Sequence, residues 1–164
     1  MEWSQIIADK LYADADQLKL EVAKWQTFND KVVFTNGCFD LLHLGHMDYL
    51  AKAADCGDRL IIGLNSDSSV SQLKGNNRPI IDEHSRAVKL ASLAFVDAVV
   101  LFSEETPLEL IKMLEPDVLV KGGDYEMSEI VGANEILKSG GEVRIIPFLA
   151  GYSSTHIIDK VKKA

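Results

Sequence analysis

The sequence predicts an α/β protein, a Rossmann-like, doubly wound parallel sheet of five strands in a single domain with an N-terminal helical lead-in. From residue 31 onward, short β-branched runs alternate with segments of helical periodicity, which indicates parallel strands joined by right-handed helical crossovers. A chain of 164 residues, 47% of them apolar, can bury the core of one such domain. We place the lead-in at residues 1–29 and the domain at residues 30–164.

The first elements follow from local patterns, taken in chain order. Apolar residues at roughly helical spacing, from Ile6 to Trp25, predict one or two helices in the lead-in. The run Lys-Val-Val-Phe-Thr-Asn at 31–36 leads into Asn36-Gly37, a pattern typical of a buried strand that enters a tight turn. Residues 45–56 have apolar side chains at helical spacing and are followed by Gly57, which indicates a helix and its end.

The later elements repeat this alternation. Residues 66–81 are polar and contain Gly75 and Pro79, so we expect a loop there. Residues 107–114 suit a helix that has proline in its first turn, where no N–H is needed. The other predicted strands are 59–65, 98–102, 117–120 and 142–147, and the other predicted helices are 82–95, 128–139 and one that begins near Ser154.

Composition excludes several classes of function. Acidic residues outnumber basic ones 25 to 17, and a net charge of −8 argues against sequence-independent nucleic-acid binding, which needs a basic face. The longest apolar runs are far shorter than the ~18 residues of a membrane span, and no secretion signal follows Met1. Cys38 and Cys56 are too few for a disulfide framework. We therefore expect a cytoplasmic protein with no nucleic-acid or membrane partner.

The strongest functional signal is a pair of histidines that follows the first strand of the domain. In a doubly wound sheet, ligands bind at the carboxyl ends of the strands, and the loop after residue 36 lies at such an end. His43 and His46 lie across the turn into a helix, so their rings can join the free N–H groups of the helix N-terminus. Gly45 lets an anion approach the backbone. We interpret this arrangement as a cradle for phosphate oxygens.

Two other interpretations of the histidine pair are open. Helical zinc pairs are usually four residues apart and no third ligand is evident, so we predict no metal site. The histidines could also simply cap a helix. Similarly, Lys74 and Arg78 could form a cationic loop that closes over a triphosphate, or a solvated surface loop. Asp40 could serve the site or form a local Asx turn.

The chain resembles the nucleotidyltransferase superfamily of cytidylyl- and adenylyltransferases over residues 31–160. The resemblance rests on His43-x-Gly45-His46 with Phe39-Asp40-Leu41-Leu42 before it. Three further segments, at 65–79, 120–125 and 151–155, are most similar to the adenylyltransferase domain that makes ADP-heptose from D-glycero-β-D-manno-heptose 1-phosphate. The resemblance implies the transfer of AMP from ATP to that sugar phosphate with release of pyrophosphate. The acceptor phosphate would attack in line, without a covalent intermediate.

Roles are assigned residue by residue from the motifs and the resemblance together. The predicted catalytic residues are His43, His46 and Lys74. The predicted acceptor-binding residues are Asp40, Asp67 and Arg78. The predicted nucleotide-binding residues are Asn36, Gly37, Cys38, Phe39, Gly45, Lys121, Gly122, Asp124, Ser153, Ser154 and Thr155. We expect Mg²⁺ to arrive with ATP, the chain to form a homodimer, and the sugar kinase that precedes it in the pathway to be a separate protein, because no kinase fits in 164 residues.

Three alternative functions are kept. The chain could be a cytidylyltransferase for a polyol or amino-alcohol phosphate such as glycerol 3-phosphate. Against this, Phe148 stands where glycerol-phosphate cytidylyltransferases carry arginine. Ile158 likewise replaces an arginine of many adenylyltransferases, so nucleotide contacts at the last helix should be unusual. The chain could instead be a nucleotide-binding sensor without chemistry, or a thiol hydrolase in which Cys38 pairs with a histidine.

Overall fold

A computed structural model describes residues 2–163, which form a six-stranded parallel sheet with helices on both faces. This architecture confirms the predicted fold class. The strands are β1 (Leu11–Tyr12), β2 (Val32–Gly37), β3 (Arg59–Asn65), β4 (Ala98–Phe102), β5 (Val118–Gly122) and β6 (Glu142–Ile146). The helices are α1 (Trp3–Ala8), α2 (Ala15–Thr27), α3 (Leu44–Ala54), α4 (Asp67–Lys74), α5 (Glu83–Ala91), α6 (Leu108–Leu114), α7 (Ala133–Lys138) and α8 (Ser154–Lys162).

The strand order places a crevice beside the central strand β2. The sheet runs β1-β4-β3-β2-β5-β6, so the chain builds outward from β2 through β3 and β4. It then returns to the other side of β2 to form β5 and β6. The order therefore reverses between β2 and β5, and the carboxyl ends of these two strands flank the crevice where such folds bind ligands.

The core consists of two apolar layers, one on each face of the sheet. Neighbouring residues of β2 belong to different layers, because side chains alternate across a strand: Phe34 lies in one and Val33 in the other. Leu18 of α2 and Ile111 of α6 complete the first layer, and Leu50 of α3 belongs to the second. Each of these five side chains is at most 1% exposed. The elements that carry the site are thus held by a packed core.

The number of strands is the main correction to the predicted fold. Leu11 and Tyr12 pair with Val99 and Val100 of β4, which makes a sixth strand at the sheet edge. The prediction of a purely helical lead-in is therefore wrong for these two residues, because a strand of two residues has no readable period. The division at residue 29 stays a prediction, but Trp25 of α2 is buried in the core of the same sheet.

Two helices also differ from the prediction. Residues 66–81, predicted as a loop, contain α4, which Ser66 caps by accepting a hydrogen bond from the Ser69 N–H. Lys74 therefore ends a helix. The predicted helix 128–139 is instead a short 3₁₀ turn at Met127–Glu129 followed by α7. Gly132 separates them. Its φ of +86° is incompatible with a right-handed helix, so the helix cannot run through this residue.

Candidate active site

Two helix N-termini meet at the carboxyl end of the sheet. His43 is the N-cap residue of α3 and makes no side-chain capping bond, so its ring is not used for the cap. Ser153 caps α8 by accepting a hydrogen bond from the His156 N–H. Between them lies a cleft of about 550 Å³, called the histidine cleft below. It is lined by His43, Gly45, His46, Lys74, Arg78, Phe148, Leu149, Tyr152, Ser153, Ser154 and Thr155.

The two histidine rings are stacked face to face. Their centroids are 3.9 Å apart and the planes are inclined by 22°. A Cβ atom on Gly45 would lie 3.1 Å from His43 Nδ1 and 3.1 Å from Tyr152 Cβ, tighter than nearly all real contacts. Gly45 therefore makes room for the His43 ring and for Tyr152, a reason for glycine that the sequence interpretation did not include.

The histidines are neutral near pH 7. Burial, together with the neighbouring His43 and Lys74, lowers the pKa of His46 to about 4, although a contact with the Leu41 backbone opposes this shift. Burial also lowers the pKa of His43. A neutral imidazole keeps one N–H donor, and a bound anion would reverse these shifts by favouring the charged ring. The protonation of the two histidines, and therefore the charge of the histidine cleft, thus depends on the ligand that binds there.

Three buried polar atoms of the histidine cleft have no hydrogen-bond partner within the protein. They are His43 Nδ1, His46 Nδ1 and Arg78 Nη2, the only buried side-chain nitrogens or oxygens without a partner among residues 2–163. Leaving such groups unpaired costs stability, and natural proteins satisfy nearly all of them. Cationic or neutral donors without acceptors, next to two helix N-termini, are suited to phosphate oxygens.

A second cleft of about 480 Å³ adjoins the first and shares His46, Lys74, Phe148 and Ser154 with it. Its further lining residues are Asn36, Gly37, Cys38, Phe39, Asp40, Tyr49, Asn65, Leu73, Lys121, Gly122 and Tyr125. Most of the predicted nucleotide-binding residues therefore lie in one continuous depression. Burial lowers the pKa of Lys121, whose ammonium lies 5.9 Å from the centre of the Tyr125 ring.

Phe148 forms part of the wall between the two clefts. A Cβ atom on Gly122 would be 2.5 Å from Phe148 Cε1, so the ring packs directly on the glycine backbone. The Phe148 ring also meets Tyr49 edge to face at 5.9 Å. Phe148 stands where glycerol-phosphate cytidylyltransferases carry arginine. It thus supplies an apolar surface, 60% exposed, where an arginine would supply charge.

Three predicted acidic site residues take different positions. Asp40 lines the second cleft, but its carboxylate accepts hydrogen bonds from Arg78 and from the backbone of Ile80 and Ile81. Asp67 accepts from Arg86 at 2.7 Å and lines neither cleft. Asp124 is exposed and also lies outside both linings. Substrate contact by these three carboxylates stays a prediction.

Arg86 is a residue of the site region that sequence reasoning missed. Its side chain is fully buried, and it donates to the carbonyls of Cys38, Asn65 and Ile81 as well as to Asp67. It ties the ends of β2 and β3 to the segment before α5. The available signal was its place on the buried face of α5, among alanines and leucine, where arginine is unusual.

The chain belongs to the cytidylyltransferase-like family, whose model matches residues 34–160. A bifunctional protein HldE from Koribacter versatilis is 53% identical over 151 residues, which are 92% of this chain and 31% of that protein. A bifunctional protein HldE from Geobacter metallireducens is 56% identical over 134 residues, 82% of this chain and 27% of that protein. The chain thus spans about a third of the length of these curated relatives.

Two solved structures are similar to this one. The lipopolysaccharide core biosynthesis protein from Thermoplasma volcanium GSS1 is 31% identical with a TM-score of 0.59, over 73% of this chain and 97% of that one. The pantoate-beta-alanine ligase from Francisella tularensis matches with a TM-score of 0.61 over 94% of this chain and 78% of that one. At 12% identity, the second structure shows the shared fold alone.

Proposed function

We propose that this protein transfers AMP from ATP to D-glycero-β-D-manno-heptose 1-phosphate, giving ADP-heptose and pyrophosphate. The observation that carries the proposal is the set of three buried nitrogens in the histidine cleft that have no hydrogen-bond partner among residues 2–163, beside the N-termini of α3 and α8. The heptose acceptor is supported by the motifs of this chain and by its identity of about 50% to the HldE proteins. It is also supported by the name of the Thermoplasma protein.

The chemistry asked of the protein is positioning and charge stabilisation. An acceptor phosphate is already an oxyanion nucleophile near neutral pH, so no general base is needed. Its oxygen attacks the α-phosphorus, the bond from that phosphorus to the bridging oxygen breaks, and pyrophosphate leaves on the opposite side. His43 and His46 would donate to phosphate oxygens, and Lys74 would offset charge on the leaving group.

Mg²⁺ is proposed to enter with the nucleotide. Among the residues that the structure describes, no group of three His, Cys, Asp or Glu side chains could hold a metal ion. The carboxylate of Asp40, three residues before His43, is occupied by Arg78 and two backbone N–H groups. Phosphate oxygens would therefore be the main ligands, and the ion would supply neutralisation of the triphosphate charge.

Further parts of the proposal concern partners and place. ATP and a sugar 1-phosphate are the proposed substrates, the assembly is a homodimer, and a sugar kinase supplies the acceptor. We place the reaction in the cytoplasm, where ATP is available, and propose no nucleic-acid or membrane partner. In residues 2–163, no helix is long and apolar enough to cross a membrane.

Pyrophosphate release over a matrix of substrates tests the proposed function. ATP and CTP are each combined with heptose 1-phosphate, glycerol 3-phosphate and ethanolamine phosphate. We expect release with ATP and heptose 1-phosphate alone. Release with CTP and a polyol phosphate would replace the substrate assignment, and ATP binding without release would favour the sensor function. A Cys38→Ser variant should keep most of its activity, whereas a thiol hydrolase would lose nearly all of it.

A further inference from the structure

The carboxylate of Asp40 is enclosed by donors from a segment that lies far away in the sequence. The residue is 2% exposed and sits in the turn after β2. Arg78 Nε donates to Oδ2 at 2.6 Å, the Ile80 N–H lies 2.9 Å from both oxygens, and the Ile81 N–H donates to Oδ1 at 2.9 Å. Burial alone would raise the pKa of Asp40, but these donors lower it below its usual value. Both carboxylate oxygens are therefore used within the protein.

Arg78 connects this carboxylate to the histidine cleft. Its side chain is 15% exposed and lines the cleft with His43, His46 and Lys74. Its Nε is bonded to Asp40, whereas its Nη2 is buried and has no partner among residues 2–163. A guanidinium is planar and rigid, so fixing Nε also fixes the direction of the two terminal nitrogens.

The segment that carries Arg78 is held from a second side by Arg86. Arg86 Nε donates to the Ile81 carbonyl at 2.9 Å, and its Nη1 donates to the Cys38 carbonyl at 2.6 Å. Asp40 and Arg86 thus both join residues 78–81 to the turn that leads into the histidine motif. The segment lies between α4 and α5 outside any helix or strand, so these two attachments, with the bond from the Ser71 hydroxyl to the Arg78 carbonyl at 2.7 Å, fix the place of Arg78.

We propose that Asp40 is a positioning residue that holds the Arg78 guanidinium in the histidine cleft, where a terminal nitrogen of Arg78 donates to the nucleotide's phosphate chain. Asp40 itself then contacts neither substrate nor Mg²⁺. Asp40 and Arg78 are both predicted from the sequence to bind the acceptor, so this inference changes both roles. It rests on the proposed function for the identity of the bound phosphate.

Charge and bonding favour this role over metal binding. A carboxylate that ligates Mg²⁺ would have to give up its bonds to Arg78 or to the two backbone N–H groups, and it would leave the Arg78 charge largely buried without a partner. Losing one partner of a buried ion pair is strongly destabilising. The Asp40 charge is balanced by donors of the protein itself, whereas Arg78 Nη2 has no acceptor among residues 2–163.

A double-mutant cycle over Asp40→Asn and Arg78→Gln tests the proposal. The readouts are the Kd of a non-hydrolysable ATP analogue with Mg²⁺, kcat/KM for pyrophosphate release, and the Mg²⁺ concentration that gives half-maximal activity. We expect each single variant to weaken analogue binding about tenfold or more, and the double variant to bind no worse than the weaker single one. The half-maximal Mg²⁺ concentration of Asp40→Asn should stay within about twofold of wild type.

Additive losses in the cycle, or a tenfold rise in the Mg²⁺ required by Asp40→Asn, would overturn the proposal. If thermal unfolding shows that Asp40→Asn does not fold, Arg78→Lys is measured in its place. Lysine keeps the positive charge but lacks the planar guanidinium, so the affinity for the ATP analogue should fall as it does in Arg78→Gln. Wild-type affinity in Arg78→Lys would contradict the inference. The ATP analogue binds without the sugar-phosphate substrate. Its Kd would therefore still test the role of Asp40 if the proposed heptose reaction were wrong.

Discussion

Two cavities of similar size lie at opposite ends of the sheet, and their polar groups behave differently. The cavity at the amino end, about 620 Å³, is lined by four carboxylates and one lysine, Lys31. The histidine cleft, about 550 Å³, is lined by Lys74, Arg78 and two histidines, and by no carboxylate of residues 2–163. The two cavities are therefore similar in size, but they differ in the sign of the charge on the residues that line them.

The hydrogen bonding of the two cavities differs as well. At the amino end, Asp117 accepts from the Val32 N–H at 2.8 Å and from Gln26 at 3.3 Å, and Glu142 lies 3.6 Å from the Lys31 ammonium. At the carboxyl end, two histidine nitrogens and one arginine nitrogen are buried without partners in the described part of the chain, residues 2–163. The polar residues of the amino end are bonded to other parts of the fold, whereas we propose that the unpartnered nitrogens of the carboxyl end bind a ligand.

The largest expected effect is the loss of a donor from the histidine cleft. His46→Ala should lower kcat for pyrophosphate release by ~10²–10³, the usual cost of removing one preorganised donor to a transition-state charge. Steady-state kinetics on ATP and heptose 1-phosphate provide the measurement. Glu142→Gln at the opposite cavity is the matched control and should stay within about twofold of wild type. Turnover by His46→Ala within a few-fold of wild type would exclude the proposed mechanism.

A lysine at each cavity sharpens the comparison. Lys74→Met removes one positive charge from the histidine cleft and should reduce kcat/KM for ATP by about 10–100-fold, because a charge-assisted contact to the triphosphate is lost. Lys31→Met removes the lysine of the amino-end cavity. The Lys31 ammonium forms a partly exposed ion pair with Glu142, so its loss should leave kcat/KM nearly unchanged. Equal losses in the two variants would show that the lysines act through overall charge and not at a site.

Asp117 tests the structural role of the amino-end cavity. Asp117→Ala leaves the N–H of Val32, a fully buried residue, without its acceptor. We expect a loss of about 1–3 kcal/mol in the free energy of unfolding, measured with urea, and unchanged turnover per folded molecule. Asp55→Ala, at an exposed position, should change stability by less than about 0.5 kcal/mol. A selective loss of turnover in Asp117→Ala would mean that this cavity takes part in function.

The smallest expected effect is a dependence of stability on pH that originates in His46. Its pKa falls from 6.5 to about 4 on folding, mainly through burial, so the unfolded chain binds the proton more tightly. The stabilisation is present above pH 6.5 and is lost as the pH falls toward 4. After allowance for solvent screening, we expect about 1 kcal/mol, or about 2–4 °C in Tm. The Tm difference between wild type and His46→Gln should change between pH 6.5 and pH 4. A constant difference would contradict a contribution of His46 to the pH dependence of stability.

Much of the fold could be predicted because buried strands of this class are continuous apolar runs. The bounds of β3 and β4 match the predicted ranges 59–65 and 98–102. The two-residue strand Leu11–Tyr12 could not be predicted, because it is a strand only through pairing with β4. Helix α4 was missed because its sequence is largely polar and only Val70 of its apolar residues is buried.

The site divides in the same way. His43 and His46 could be paired from their spacing, and the structure brings Lys74, Arg78 and Ser153 to the same cleft. What the sequence does not contain is the pairing of side chains across long separations. Asp40 and Arg78 are 38 positions apart, and the bond between them depends on where the fold places the segment before α5.

The most direct test of the central claim is to find which cavity binds the nucleotide. A ¹H–¹⁵N NMR titration of the wild-type chain with a non-hydrolysable ATP analogue and Mg²⁺ reports on both ends of the sheet at once. We predict shifts in the amides of residues 43–46 and 153–155, with residues 29–31, 115–117 and 139–142 unchanged. Shifts concentrated at the amino end, with the amides of 43–46 unmoved, would contradict the assignment of the unpartnered donors to the nucleotide.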